Sequence, residues 1–158
     1  MPRFRRAAAA LCLMLLGGAG CAPAATRGAA PATLAAEARA FMEAYANDLR
    51  TGAREGIAER YDLRGAWLVG EGRKALVPAD SIRARYRDRW RPPASFEWQD
   101  LSYEAVGPDA VVVTGRFLWG LDAERSLAYS YTALLLRQDG RFRIRLEDES
   151  GAPPPPVP

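Results

Sequence analysis

Residues 95 to 147 carry four β-rich runs in succession, 95–106, 110–121, 125–137 and 141–147, and this constrains the chain more than any other feature. The runs are separated by Gly107-Pro108-Asp109, Leu121-Asp122-Ala123-Glu124 and Gln138-Asp139-Gly140. Turn chemistry that compact joins neighbouring strands in an antiparallel meander. Several runs are long for strands, and long strands beside a helical half bend. The expected sheet therefore curls around the helices and leaves a cone-shaped hollow.

The helical half comes first. Leu34, Ala38, Phe41, Met42, Tyr45 and Leu49 recur at helical spacing, with Thr33 as the expected N-cap and Gly52 as the stop. A shorter helical segment over 53–60 presents Ile57 and Tyr61. Residues 66–69 and 74–77 bracket Gly70-Glu71-Gly72, the chemistry of a small hairpin. One G-x-G beside Arg73 and Lys74 lacks the rest of either phosphate-loop pattern, so it reads as a turn and implies no cofactor. A third helix is expected over 81–91, with Ile82, Tyr86 and Trp90 on one face, five arginines on the solvated remainder, and Pro92-Pro93 ending it. Helices first and strands after is the order of an α+β domain.

The segments outside this domain give an address. Arg3, Arg5 and Arg6 precede an apolar stretch from Ala7 to Leu16 and then Gly17-Gly18-Ala19-Gly20-Cys21, the three-part build of a bacterial export signal. The stretch is shorter than the roughly 20 residues that span a bilayer. Small residues before Cys21 resemble a lipobox, with Gly18 where the family usually has Leu, which implies lipidation at Cys21 after removal of residues 1–20. With Ala22 following, the resemblance implies an anchor in the outer membrane facing the periplasm. The alternative is ordinary cleavage after Ala25, giving a soluble periplasmic or secreted protein. Residues 21–32 read as a disordered tether, residues 33–150 as one domain, and residues 151–158 as a disordered proline-rich tail.

The chain has 22 basic and 19 acidic residues, and the signal holds three arginines and no acids, so the mature protein is formally neutral. A neutral surface does not attract phosphate backbones, and no nucleic-acid partner is expected. Cys12 leaves with the signal and Cys21 is the lipid site, so no internal disulfide is available. Stability must come from a core.

The order of elements, closing on Asp139-Gly140-Arg141-Phe142-Arg143-Ile144-Arg145, resembles the nuclear transport factor 2-like superfamily, also described as SnoaL-like or ketosteroid-isomerase-like. The closing signature of many bacterial members is similar to D-G-x-W-x-I-x-H-x-H-x-S. This chain keeps Asp139, Gly140, Ile144 and Ser150, has Phe142 for the tryptophan, and has Leu146 and Asp148 at the histidine positions. The resemblance implies a curved sheet wrapped around N-terminal helices, and it spans isomerases, cyclases, dehydratases and many binding or assembly modules.

Simple alternation along the last strand puts Phe142, Ile144, Leu146 and Asp148 on one face and Arg143, Arg145, Glu147 and Glu149 on the other. On that parity Asp148 faces the cone, where burial would raise its pKa and fit it as a general base or ligand anchor. The alternative leaves it wet at the rim. The expected outer face carries Glu147 and Glu149 in a charged ladder with the arginines. Tyr45, Trp119, Tyr129 and Tyr131 are the candidate pocket lining, with Arg116 or Asp148 at its polar end. The chain contains no histidine, which removes Ser-His-Asp and Cys-His triads, His-bearing metal sites and His proton shuttles. No metal or cofactor is expected. The favoured reading is a membrane-tethered, non-catalytic domain binding a small apolar or amphipathic molecule or a partner protein. The alternatives are a ketosteroid-isomerase- or cyclase-like enzyme with Asp148 as base, and a homodimeric assembly module.

Overall fold

The computed structural model describes residues 30–151. The signal segment, Cys21, most of the expected tether and the tail after Gly151 lie outside the described residues. Helix α1 spans Pro31–Thr51 and buries Leu34, Ala38, Met42, Tyr45, Ala46 and Leu49, one stripe of the expected periodicity. It begins earlier than expected, because Pro31 at the first turn supplies a pre-set helical φ and Thr33 is left inside the helix rather than capping it. Gly52, at φ +70°, ends it in the left-handed region and returns its N–H to the Asp48 carbonyl.

Helix α2 (Arg54–Glu59) and helix α3 (Ala79–Asp88) follow on either side of a hairpin, β1 (Ala66–Gly70) and β2 (Arg73–Val77). Glu71 and Gly72 both have positive φ, as a two-residue turn matching strand twist requires. Helix α3 stops before Pro92-Pro93. Arg89 leaves the helical region, and the N–H of Trp90 bonds back to the Arg85 carbonyl. That turn brings the Trp90 ring to 5.6 Å from Tyr86 and 6.4 Å from Trp119.

Strands β3 (Phe96–Gly107), β4 (Ala110–Gly120), β5 (Ser126–Gln138) and β6 (Arg141–Gly151) form the antiparallel meander. The hairpin extends it through a parallel pairing of β1 with β6, giving a six-stranded sheet in the order β2-β1-β6-β5-β4-β3. Strand β6 runs four residues past its expected end, because Asp148 to Gly151 continue to pair with β5. The concave face, with Val111, Val113, Ala133, Leu135, Phe142 and Ile144, packs with the buried stripe of α1 in one core. Among the described residues no helix is long and apolar enough to cross a membrane.

Two irregularities bend the sheet. In β3 the register slips between Gln99 and Ser102, with Asp100 at φ +55°. Gly115 of β4 lies under this bulge, where an added Cβ would stand 2.7 Å from Leu101 Cδ2 and 3.0 Å from the Asp100 carbonyl oxygen. In β6, Ile144 pairs with Leu135 and Leu146 with Leu134, so Arg145 is an extra residue without a partner on β5. The loop after α2 secures this second bulge. The Asp62 N–H donates to the Ile144 carbonyl, the Ile144 N–H donates to the Arg60 carbonyl, and Arg145 Nη1 donates to the Gly65 carbonyl at 2.6 Å.

Asp62 anchors that loop with no accessible surface. Its carboxylate accepts from the Arg64 backbone N–H at 2.8 Å and from Arg64 Nη2 at 2.8 Å, and Arg145 Nε lies 4.0 Å away. Burial opposes its charge, but the hydrogen bonds from Arg64 and Gln138 outweigh burial and hold the carboxyl well below its usual range.

Two outcomes follow from this geometry. Gly115→Ala forces the Leu101 contact apart and should destabilise the domain by about 1–3 kcal/mol, read as a lower urea midpoint. Asp62→Asn should also lower stability at neutral pH. Because the folded-state pKa of Asp62 is depressed, its contribution is present above the unfolded value, 3.8, and is lost as pH falls below it. The gap between wild type and variant should therefore narrow on acidification from pH 5 towards about pH 2.

Candidate functional site

The extra residue in β6 reverses the strand's parity at its end. Phe142 and Ile144 face the core, but after Arg145 the inward positions fall to Glu147 and Glu149. Asp148 lies on the outer face, where it accepts a 2.8 Å hydrogen bond from Ser150 Oγ. The expectation that Asp148 faces the cone while Glu147 and Glu149 join an outer ladder is thus inverted.

Glu147 is buried at 5% exposure where three helical segments meet the sheet. Its Oε2 accepts from Tyr61 Oη at 2.5 Å, and its Oε1 accepts from Tyr131 Oη at 3.0 Å and Tyr45 Oη at 3.3 Å. Tyr61 Oη also lies 2.8 Å from Tyr86 Oη and 3.1 Å from Tyr45 Oη. A phenol has one proton to give. The short, charge-assisted bond assigns the Tyr61 proton to Glu147, so Tyr86 donates to Tyr61. The cluster draws on α1, the loop after α2, α3, β5 and β6, and its protons converge on one carboxylate.

Burial pushes the pKa of Glu147 up, while the bonds from Tyr61, Tyr131 and Tyr45 and the charge of Arg85 pull it back. Burial, followed by the charge of Glu147, raises all four tyrosines. Glu149 is solvent-exposed and lines the cavity two positions beyond buried Glu147. Burial and the neighbouring Glu147 push it up to about 8, with Asp148 adding to the rise and Arg85 opposing it. Water reaching its oxygens from the cavity works against the burial effect.

The cavity has a volume of about 730 Å³. Its floor is Tyr45, Tyr86, Glu147 and Glu149, and its aromatic wall is Trp90, Phe117, Trp119 and Tyr129. Leu68, Glu71, Arg73 and Lys74 of the hairpin stand on the opposite side, with Arg85 of α3 beside them. Gly70 allows this closure, since a Cβ there would meet the Glu149 carbonyl oxygen at 2.7 Å.

Of the residues expected from sequence, Tyr45, Trp119 and Tyr129 line the cavity, and Tyr131 lies beneath its floor bonded to Glu147. Arg116 faces outward and pairs with Asp100 at the β3 bulge, so it is no polar end of the pocket. Glu147, Glu149, Tyr61, Tyr86 and Arg85 were not singled out. Tyr61 and Tyr86 were legible only as apolar-face residues, and the glutamates only as the acid-rich end of a strand. Among the described residues no group of three or more acidic or thiol side chains is arranged to hold a metal ion.

Tyr61→Phe removes the shortest bond to Glu147 and deprives Tyr86 of its acceptor. It should cost about 1–3 kcal/mol of stability, measured by denaturant unfolding. The raised pKa of Glu149 has the opposite pH signature to Asp62. Its folded-state contribution is fully present below the unfolded value, 4.5, and is lost as pH rises towards about 8. Stability should decline across that window and level off above it, and Glu149→Gln should flatten the slope.

No family model and no curated protein matches the chain. Solved structures do. An NTF-2 like protein of unknown function from Shewanella oneidensis is similar at 14% identity with a TM-score of 0.64, covering 73% of this chain and 97% of its own. A cystatin-like fold protein from Burkholderia xenovorans is similar at 17% identity and a TM-score of 0.64, with 78% and 95% covered. A ketosteroid isomerase-like protein from Erwinia carotovora atroseptica is similar at 18% identity and a TM-score of 0.59, with 76% and 97% covered. The chain thus has the nuclear transport factor 2-like fold.

Proposed function

We propose that the domain is an envelope-tethered receptor whose cone binds a small amphipathic molecule without turning it over. The observation that carries this reading is the cavity itself. At about 730 Å³ it falls within the range of small-molecule sites, and it sets an aromatic wall opposite a polar floor. The hydroxyl protons of Tyr45, Tyr61 and Tyr131 end on Glu147 and that of Tyr86 on Tyr61, so these donors serve the protein's own network rather than a developing oxyanion. Export and lipidation at Cys21 supply the tether.

A second reading, proton transfer with Glu149 as the base, is favoured by the raised pKa of that group and its place on the cavity surface. The fold neighbour described as ketosteroid isomerase-like is consistent with it. Asp148, on the outer face, has no part in this version.

Native mass spectrometry of protein drawn from its own envelope should find a small molecule retained by wild type and lost on Trp119→Ala. A persistently empty wild-type cone would oppose the receptor reading. Metabolic labelling with an alkyne fatty acid should mark wild type and leave Cys21→Ser unmarked. If a turnover assay finds activity abolished by Glu149→Gln in a folded protein, the catalytic reading replaces the first.

A further inference from the structure

Glu147 and Glu149 lie two positions apart on one face of β6 and share the cavity floor, yet among the described residues neither has a cationic side chain within ion-pair distance. The tyrosines satisfy Glu147 as a hydrogen-bond acceptor without neutralising it. Among the described residues the Glu149 carboxylate has no hydrogen-bond partner. Two like charges held close, Glu147 buried and Glu149 at the solvent-exposed cavity surface, are unfavourable until a positive charge joins them.

The walls suit such a charge. Trp90, Phe117, Trp119 and Tyr129 line the same space, and an aromatic face attracts a cation best where water is excluded. The rings are already locked together, with Phe117 and Tyr129 stacked at 4.9 Å and Trp90 edge-on to Trp119 at 6.4 Å. Arg73, Lys74 and Arg85 also border the cavity, but all three are solvent-exposed. Their charge is hydrated, whereas that of Glu147 is not.

We infer that the molecule bound in the cone is an organic cation, an amine or quaternary ammonium on an apolar body, whose charged end seats between Glu147, Glu149 and the aromatic wall. This rests on the receptor reading above and names its ligand class. The groups that face Glu149 set its pH dependence: Glu147 and Asp148 from its own strand disfavour its charge, Arg85 from α3 favours it, and Glu71, Arg73 and Lys74 border the cavity from the hairpin. A bound cation stabilises the ionised carboxylate, so binding near neutral pH releases a proton.

The test uses three probes on one body: benzyltrimethylammonium, its uncharged carbon isostere neopentylbenzene, and benzylsulfonate. Titration calorimetry of the mature wild-type domain should give the cation an affinity at least tenfold above the other two. That affinity should rise with pH up to about pH 8, and heats in two buffers of different ionisation enthalpy should report proton release. Glu149→Gln, at a position without a hydrogen bond to lose, should remove both the tenfold preference and the pH dependence. Equal or tighter binding of the isostere or the sulfonate, or a preference unchanged in Glu149→Gln, would overturn the cation assignment and leave a small-molecule receptor standing. Failure of all three probes to bind at millimolar concentration would count against the receptor reading itself.

Discussion

One unpaired residue, Arg145, decides which side chains the cone contains. A strand alternates faces with period two, so a single insertion exchanges the two sets for every residue beyond it. Without the insertion, Leu146 and Asp148 would complete an apolar row with one short acid at its end. With it, Glu147 reaches the interior and Glu149 the cavity surface. The bulge is therefore a chemical as well as a mechanical device, and the molecule invests in holding it. The loop after α2 uses two backbone bonds to Ile144, and Arg145 itself reaches across to the Gly65 carbonyl.

The inward turn of Glu147 creates a problem that the tyrosines solve. Burying an unpaired carboxylate is costly, by several kcal/mol even after relaxation, and among the described residues no arginine or lysine comes within ion-pair distance of it. Phenols instead bring polarised hydrogens on apolar bodies, so each ring can join the core while its tip serves the charge. Tyr45, Tyr61, Tyr86 and Tyr131 come from elements distant in sequence, and Glu147, bonded to three of them and through Tyr61 to Tyr86, ties all three helical segments to the sheet. A network satisfied in this way rigidifies its surroundings, whereas removal of one member strands the others.

The fold was legible because it rests on periodicities spread over many residues. The stripe from Leu34 to Leu49, the turn at Gln138-Asp139-Gly140 and the long strands each repeat a signal, and a misplaced boundary such as the start of α1 changes little. The site was legible only in part. Tyr45, Trp119 and Tyr129 were recoverable, because a large ring on a curled sheet or its facing helix has few places to go. The polar half was not, because it depends on Arg145, and nothing local distinguishes Ile144-Arg145-Leu146 from an ordinary alternating segment. The register of that strand is set by contacts with Arg60, Asp62 and Gly65, roughly 80 residues earlier in the chain. Arg116 failed on plain parity instead: β4 pairs with β5 without a break, Phe117 and Trp119 face the cavity, and Arg116 falls on the opposite face, where it meets Asp100.

The same irregularities explain why the cavity can be preformed. Ring contacts run from Tyr45 to Trp98 at 6.1 Å, from Trp98 to Phe96 at 4.7 Å, and on through Trp119 and Trp90 to Tyr86 and Tyr61. Tyr61 closes the circuit through its hydroxyl to Tyr45. This belt passes from α1 across the sheet to α3 and back, so no lining ring can move far without disturbing the acid at its centre. Little side-chain freedom remains to be lost when a molecule enters, which favours binding to a shape already present. In a chain without histidine, the specificity of such a site must come from where its carboxylates point, and that direction is set by one extra residue in a strand.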